Sequence, residues 1–219
     1  MATSKELHEQ RCARSLAKAL TTPGLDFSVG ARTLRITAAP GLEIGSVVWE
    51  GAAVLVRFLS AQPYAPLQGA RVLELGCGVG ACGLASRALG ARTVLLTDCK
   101  AAALALAAHN VEQNRGVVGE GVATALLPWG AAAWGEAAAS FNPPHTLLIG
   151  SDLVYTEEGS SLLCETIDLA LRAGAGGMLL SYKERGQGGH FFSRLAEAGL
   201  SFEVVFESGE HSVFSITKR

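Results

Sequence analysis

Glu74 and the three glycines that follow it are the residues whose types and spacing most clearly suggest chemistry. They lie in the stretch VLELGCGVG, where Gly76, Gly78 and Gly80 alternate with other residues after an apolar run. Glycines at a strand-to-helix turn let the backbone approach a ligand closely, and the helix that follows begins with free N–H groups. A tight turn that needs glycine only for its geometry is the simpler alternative. We favour a ligand site, because such a turn needs fewer than three glycines and no acid ahead of them.

The spacing of these glycines indicates which ligand the loop binds. Dinucleotide sites read G-x-G-x-x-G and hold a pyrophosphate at the helix N-terminus. This loop reads G-x-G-x-G, and its next glycine is Gly83. The Glu74 carboxylate would repel a pyrophosphate but suits a cation. S-adenosylmethionine carries a sulfonium and an ammonium and no phosphate, so we predict that Glu74, Gly76, Cys77 and Gly78 bind S-adenosylmethionine.

Asp98 is the second acid with a predicted binding role. It ends the next apolar run, about 20 positions beyond the glycine loop. A carboxylate at this place can accept hydrogen bonds from both hydroxyls of a ribose, in NAD and S-adenosylmethionine sites alike. It can also cap the helix that begins at Lys100, and the two roles are compatible. We therefore predict that Asp98 binds ribose.

Alternating strand and helix patterns must position these residues. The patterns predict strands at 71–75, 93–97, 122–127, 146–150, 177–182, 202–207 and 212–218, and helices at 48–61, 81–89, 100–113, 157–172 and 191–198. Such alternation implies a parallel sheet with right-handed crossovers and helices on both faces. The last two strands leave no room for a helix between them, so they must pair antiparallel. The predicted fold is α/β, with a Rossmann-like, seven-stranded, mostly parallel sheet whose last strand is antiparallel.

The residues before the sheet are predicted to form an extension. Residues 5–20 have a helical pattern, and 25–29 and 33–37 alternate apolar and polar residues as a β-hairpin does. We expect an extension over 1–45 and a single cofactor-binding domain over 46–219. The alanine runs at 101–108 and 131–139 are predicted to be helical, and the glycine-bearing segment 116–121 is predicted to be a loop.

Three further motifs give the chain a specific resemblance. They read GSVVWEGA at 45–52, LLPWG at 126–130 and GSDLVY at 150–155. With the glycine loop, they resemble the seven-β-strand methyltransferases, and more narrowly methyltransferase family 16, many of whose members methylate lysines on other proteins. The resemblance implies S-adenosylmethionine as cofactor, S-adenosylhomocysteine as product, no metal, and a protein side chain as acceptor, with the lysine amine preferred.

The same resemblance implies roles for five more residues. Trp49 would border the cofactor, Trp129 would lie beside the adenine, and the backbone of Ser151 would line the cofactor. Asp152 and Tyr155 match the family's [DE]-x-x-[YF] signature and are the predicted catalytic residues. Asp152 would orient the incoming amine without being an obligatory base, and Tyr155 with Trp129 would wall the path of the methyl group.

Composition argues against several other partners. The formal charge is -2, with 18 basic and 20 acidic residues, so no basic excess suggests nucleic acid. No uncharged apolar run approaches membrane-spanning length. The cysteines and histidines show no metal-ligand spacing, and the five cysteines are predicted to be reduced thiols. We expect a cytoplasmic protein, also nuclear, that acts on a protein substrate and is a monomer.

The sequence is also compatible with other functions. The acceptor could be arginine or a small molecule, and the chain could bind S-adenosylmethionine as a regulatory module without turnover. A NAD-dependent oxidoreductase is a third class, but the chain has no Tyr-x-x-x-Lys pattern. The stretch NPPH at 142–145 resembles the [DN]PP[YF] motif of DNA and RNA methylating enzymes, yet it precedes its strand, so we interpret it as a loop. Residues 181–186 are predicted at the rim, either contacting a protein substrate or solvated.

Overall fold

The computed structural model describes residues 4–22, 24–42, 44–61, 65–140, 146–186 and 188–219. Its strands are β1 (Leu25–Val29), β2 (Arg32–Ile36), β3 (Arg71–Glu74), β4 (Thr93–Asp98), β5 (Val122–Leu126), β6 (Thr146–Ser151), β7 (Gly177–Lys183), β8 (Leu200–Ser208) and β9 (His211–Lys218). Its helices are α1 (Ser4–Leu20), α2 (Glu50–Ala61), α3 (Ala81–Ala88), α4 (Ala101–Gln113), α5 (Arg115–Val118), α6 (Ala131–Ser140), α7 (Glu157–Arg172) and α8 (Gly188–Glu197).

Seven strands form one sheet in the order β5-β4-β3-β6-β7-β9-β8. The five strands from β5 to β7 are parallel, and β9 is antiparallel to both of its neighbours. The predicted fold class is therefore confirmed. The chain proceeds outward from β3 to β5 and then returns to the other side of β3 as β6. Ligands of open α/β sheets bind where the strand order reverses, at the carboxyl ends of the strands, which here means beyond β3 and β6.

Two hydrophobic cores cover the two faces of this sheet. Successive residues of a strand point to opposite faces, and Val72 and Leu73 of β3 accordingly enter different cores. The first core includes residues of α2, α3 and α4, and the second includes residues of α7 and α8. Helix α3 is almost entirely buried, which its run of alanine, glycine, serine and cysteine permits because small side chains let it lie close to the sheet.

The hairpin β1–β2 is held to α4 by an amide clasp, which consists of Asn110 and Asn114. The side-chain oxygen of Asn110 accepts the N–H of Thr37 at 2.8 Å, and its nitrogen donates to the Thr37 carbonyl at 3.0 Å. Asn114 makes the same pair of bonds with Arg35, each at 2.7 Å. Asn110 also donates to the carbonyl of Val79, in the glycine loop, at 2.9 Å. The clasp therefore joins the hairpin to the loop that follows β3.

The structure corrects two details of the sequence prediction. The segment 116–121, predicted as a loop, begins inside α5, because Val117 and Val118 donate to the Asn114 carbonyl and continue the helical path until Gly119. Helix α8 begins at Gly188 instead of 191, since its two initial glycines are weak helix formers and hid the first turn. The stretch at 142–145 lies outside the described residues. The division at residue 45 stays a prediction.

Candidate functional site

A cavity of about 550 Å³ opens where the strand order reverses. Its walls come from the glycine loop, the ends of β4 and β6, the residues before α2 and the first turns of α7. All of the predicted site residues line it: Trp49, Glu74, Gly76, Cys77, Gly78, Asp98, Trp129, Ser151, Asp152 and Tyr155. The topology thus brings together residues that are about 100 positions apart in the chain, because the carboxyl ends of parallel strands meet at one edge of the sheet.

The glycine loop owes its composition largely to the protein's own packing. Gly76 and Gly78 have φ angles of 59° and 53°, in the left-handed region that favours glycine. A Cβ at Gly76 would lie 2.6 Å from the Leu153 side chain, and a Cβ at Gly78 would lie 2.6 Å from the Gly45 carbonyl oxygen. At both positions the missing side chain leaves room for protein atoms, so the geometry of the turn is one reason for the glycine pattern. The backbones of both glycines still line the cavity.

Glu74 is a buried acid at the cavity wall. Only 2% of the residue is exposed, and its Oε2 accepts the N–H of Gly83 at 2.8 Å. Burial, with a smaller contribution from the nearby Asp98 charge, raises the pKa of the Glu74 carboxyl from 4.5 to about 8. The carboxyl is therefore mostly protonated at neutral pH, and a cation arriving in the cavity would favour its ionised form.

Asp98 ends β4 with both carboxylate oxygens bound to the backbone. Oδ2 accepts the N–H of Gly78 at 3.0 Å, and Oδ1 accepts the N–H of Lys100 at 2.9 Å. These bonds fix the carboxylate against the glycine loop, and the residue is 8% exposed. Each oxygen has a second lone pair, so the carboxylate could also accept the two hydroxyls of a ribose.

Two cysteines and a serine also line the cavity: Cys77, Cys82 and Ser151. The Cys82 thiol donates to Ser151 Oγ at 3.7 Å, and Cys77 is also buried. Burial raises the pKa of both thiols well above 9. Both cysteines are therefore neutral and unsuited to nucleophilic chemistry. Among the described residues, no group of three or more histidine, cysteine, aspartate and glutamate side chains could hold a metal ion.

Aromatic residues line the more open part of the cavity. Trp49 is 44% exposed and Tyr155 is 48% exposed, whereas Trp129 is half-buried near Gly76. Partial burial raises the pKa of Tyr155, and the Cys99 and Asp98 side chains add to that effect. The phenol is thus neutral and can donate one hydrogen bond.

Asp152 is held by contacts that the sequence did not reveal. It has a φ of 54°, the sole positive value among the described residues other than glycine. Its Oδ2 accepts the N–H of Gly51, in the first turn of α2, at 3.0 Å. Its Oδ1 lies 3.3 Å from Arg185 Nη2 and 3.6 Å from His211 Nε2, and the side chain is 2% exposed. The acid therefore caps α2 and faces two nitrogen-bearing side chains.

Sequence reasoning missed Gly51 and His211 as members of the site. Gly51 is required because a Cβ there would lie 2.5 Å from Asp152 Oδ2. It belongs to the GSVVWEGA motif, so the motif held the signal. Arg185 lies in the segment 181–186 that was predicted at the rim. His211 begins β9, where it pairs with Lys183 at the end of β7, and no spacing in the sequence places it beside Asp152.

Comparisons with known proteins agree with this architecture. A family model described as lysine methyltransferase matches residues 29–198. Protein N-lysine methyltransferase METTL21A of Danio rerio is 34% identical over 145 residues, which are 66% of this chain and 63% of that protein. EEF1A lysine methyltransferase 3 of Xenopus tropicalis is 28% identical over 192 residues, covering 84% of this chain and 81% of that protein.

A solved structure shares the fold at low sequence identity. The 16S rRNA N2 G1207 methyltransferase RsmC of T. thermophilus, in complex with AdoMet and guanosine, superposes with a TM-score of 0.64 at 17% identity. The match covers 90% of this chain and 50% of that one. The family model extends over most of the sheet, the glycine loop and the [DE]-x-x-[YF] motif. The chain therefore belongs to the family of S-adenosylmethionine-dependent lysine methyltransferases.

Proposed function

We propose that this chain transfers a methyl group from S-adenosylmethionine to a lysine amine of another protein. The observation that carries the proposal is the presence of a buried carboxylate, Asp152, in the wall of the cavity that also contains Asp98 and the glycine loop. One acid is thus available for the ribose and another for a cationic acceptor. Relatives whose names describe lysine methylation of proteins favour lysine over arginine or a small molecule.

The residues of the cavity suit the proposed cofactor. Asp98 would accept the ribose hydroxyls, and the flat ring of Trp129 would lie against the adenine. Glu74 would face the cationic methionine end, where ionisation of its carboxyl becomes favourable. When bound, S-adenosylmethionine supplies an activated methyl group on its sulfonium. The backbone of the glycine loop and of Ser151 would line the same ligand.

Asp152 and its neighbours suit an amine acceptor. The Arg185 guanidinium, 3.3 Å from Oδ1, is a cation already located at this carboxylate. The side chain of Arg185 is 37% exposed, so an incoming ammonium could replace it without unfolding a core. A lysine amine has a pKa near ~10.4 and must lose a proton before it can attack. Tyr155, with a neutral phenol, would wall the acceptor path.

The cellular setting is part of the proposal. We place the chain in the cytoplasm or nucleus as a monomer, and the odd number of cysteines in the sequence, five, supports a reducing compartment. Among the described residues, no helix combines the length and apolar character needed to cross a bilayer.

Radiolabelled S-adenosylmethionine and a cell extract provide the test. We expect the wild-type chain to label at least one protein, and acid hydrolysis of that protein to yield methyl-lysine. Asp152→Asn should bind S-adenosylhomocysteine with unchanged affinity and label about 10²-fold more slowly, because it keeps the shape and loses the charge. Label recovered as methyl-arginine would show that the acceptor is arginine, and label recovered in small molecules would show that the acceptor is a small molecule. Binding without any labelling would favour the regulatory module.

A further inference from the structure

His211 is a buried histidine at the start of β9. It is 1% exposed, and among the residues that the structure describes neither Nδ1 nor Nε2 has a partner within hydrogen-bond length. A neutral imidazole has one donor and one acceptor, and leaving both unpaired away from water costs free energy. We therefore look to the charged side chains beside the ring for its role.

Those neighbours are two carboxylates on opposite sides of the ring. His211 Nε2 lies 3.6 Å from Asp152 Oδ1, and His211 Nδ1 lies 4.0 Å from Glu50 Oε2. Each gap is within about 1 Å of hydrogen-bond length. The Asp152 side chain is 2% exposed, whereas that of Glu50 is 72% exposed. The three side chains therefore form a row from the cavity wall to the solvent.

We propose that Asp152, His211 and Glu50 form a proton relay that deprotonates the acceptor amine. This inference rests on the function proposed above and deepens it. An acceptor amine enclosed against Asp152 needs a group that removes its proton before it can attack the methyl group. The acid that would face this amine, Asp152, cannot pass a proton directly to bulk water, because its Oδ1 has almost no contact with solvent. His211 is the group that connects this acid to an exposed one.

Protons and electrons balance in the proposed deprotonation and methyl transfer. The acceptor ammonium gives its proton to Asp152 Oδ1, and the N–H electron pair stays on nitrogen as the nucleophile. His211 Nε2 takes that proton while Nδ1–H passes its own to Glu50 and then to water. The imidazole gains one proton and gives up one, so the step leaves its charge unchanged and moves its N–H to the other nitrogen. The nitrogen lone pair forms the new bond to the methyl carbon, and the electrons of the broken carbon–sulfur bond stay on sulfur.

Charged groups from every element packed around the ring set its environment. Glu50 of α2 and Asp152 after β6 lie beside the ring, and Glu210 in the turn before β9 interacts with it through its charge. Two cations belong to the same neighbourhood: Lys183, which ends β7 and is the strand partner of His211, and Arg185, two residues further on. Lys183 is paired with Glu210, and Arg185 contacts Asp152 Oδ1. When the acceptor ammonium replaces Arg185, the carboxylate still faces one cation, and that cation can lose its proton where an arginine cannot.

The test measures the rate of single-turnover methyl transfer over a range of pH. S-adenosylmethionine is saturating, and the acceptor is the protein that the wild-type chain labels in the cell extract. His211→Gln keeps hydrogen-bonding atoms but cannot relay a proton, so we expect transfer about 10²-fold slower near pH 7. The deficit should shrink as pH approaches the ~10.4 of a free lysine amine, which then deprotonates without help. Affinity for S-adenosylhomocysteine should be unchanged, because His211 is not among the residues that line the cavity.

Glu50→Gln is a second variant that tests the relay even if the buried His211→Gln substitution prevents folding. Its side chain is mostly in solvent, so the fold should be kept. We expect a smaller loss, about threefold to tenfold, that added imidazole restores by accepting the proton in place of the carboxylate. Glu203→Gln, an exposed acid of β8 on the far edge of the sheet, is the matched control and should transfer at the wild-type rate.

Three results would overturn the relay. Wild-type rates and pH dependence in both variants would show that no proton passes through His211. A loss that is equal at every pH and insensitive to imidazole would show that the histidine only supports the structure. Absence of any transfer to lysine by the wild-type chain would remove the proposed function and the relay with it, whereas the first two results leave the proposed function standing.

Discussion

Glu74→Gln should make the stability of the free protein less dependent on pH. The carboxyl is buried and has a pKa of about 8 in the folded chain, against an ordinary value of 4.5. The folded state therefore binds more protons than the unfolded state between these two values. The stability that Glu74 contributes is fully present below about pH 4.5 and is lost as pH rises to about 8. Glutamine keeps an oxygen for the Gly83 N–H but has no charge to bury.

The size of the effect follows from the two pKa values. Their difference, from 4.5 to about 8, is 3.5, and at about 1.4 kcal/mol for each pKa unit it corresponds to at most about 5 kcal/mol. Between about pH 5 and pH 7.5 the slope attributable to this residue is about 1.4 kcal/mol for each pH unit. The wild type should lose stability relative to Glu74→Gln over this range, and the two curves should become parallel above about pH 8.5.

Urea unfolding at a series of pH values measures the difference. Glu203→Gln, an exposed acid, serves as control and should follow the wild type. Calorimetry adds a second readout, because a cation that ionises Glu74 should release up to about one proton when S-adenosylmethionine binds near pH 7, and none in Glu74→Gln. Parallel stability curves together with equal proton release would refute the interpretation of Glu74 as a protonated acid that a cation ionises.

The remaining predictions concern the loop, the ribose acid and the wall of the cavity. Asp98→Asn should weaken S-adenosylmethionine binding by roughly 2–4 kcal/mol if two charge-assisted bonds are lost, and calorimetry showing unchanged affinity would remove the ribose assignment. Gly78→Ala should lower the free energy of unfolding by about 1–3 kcal/mol, because its φ is positive and the Gly45 carbonyl is close, whereas Gly116→Ala, with open space around it, should be neutral or stabilising in urea unfolding. Tyr155→Phe should keep single-turnover transfer near the wild-type rate if the ring is only a wall, and a large drop would show that the hydroxyl holds the acceptor.

Much of the sheet could be predicted because its determinants are local. Apolar runs bounded by glycine and charged residues mark β3, β4 and β6, and the acids at their ends fall at the cavity for reasons of strand geometry alone. The position of Asp98 followed from this reasoning, and so did that of Asp152. The hydrogen-bond partners of each carboxylate could not be predicted from the sequence, because they depend on how loops from distant parts of the chain pack.

The meeting of Asp152, Arg185 and His211 is the clearest case of what sequence could not supply. It depends on β9 lying beside β7, with β8 outside it, and on the register that pairs His211 with Lys183. A shift of one residue in that register would turn the histidine to the other face of the sheet. The sequence showed two strands joined by a tight turn but contained no signal for which of them lies inside.

The amide clasp makes the hairpin a reporter of the cofactor loop. The Asn110 carboxamide bonds Thr37 and the Val79 carbonyl at the same time, so detachment of the hairpin removes two of the bonds that fix the side chain holding that carbonyl. The Arg35 and Thr37 amides are donors to the clasp and exchange with solvent only when it opens. A ligand that rigidifies the loop after β3 should therefore slow hydrogen exchange at these two amides, which do not line the cavity.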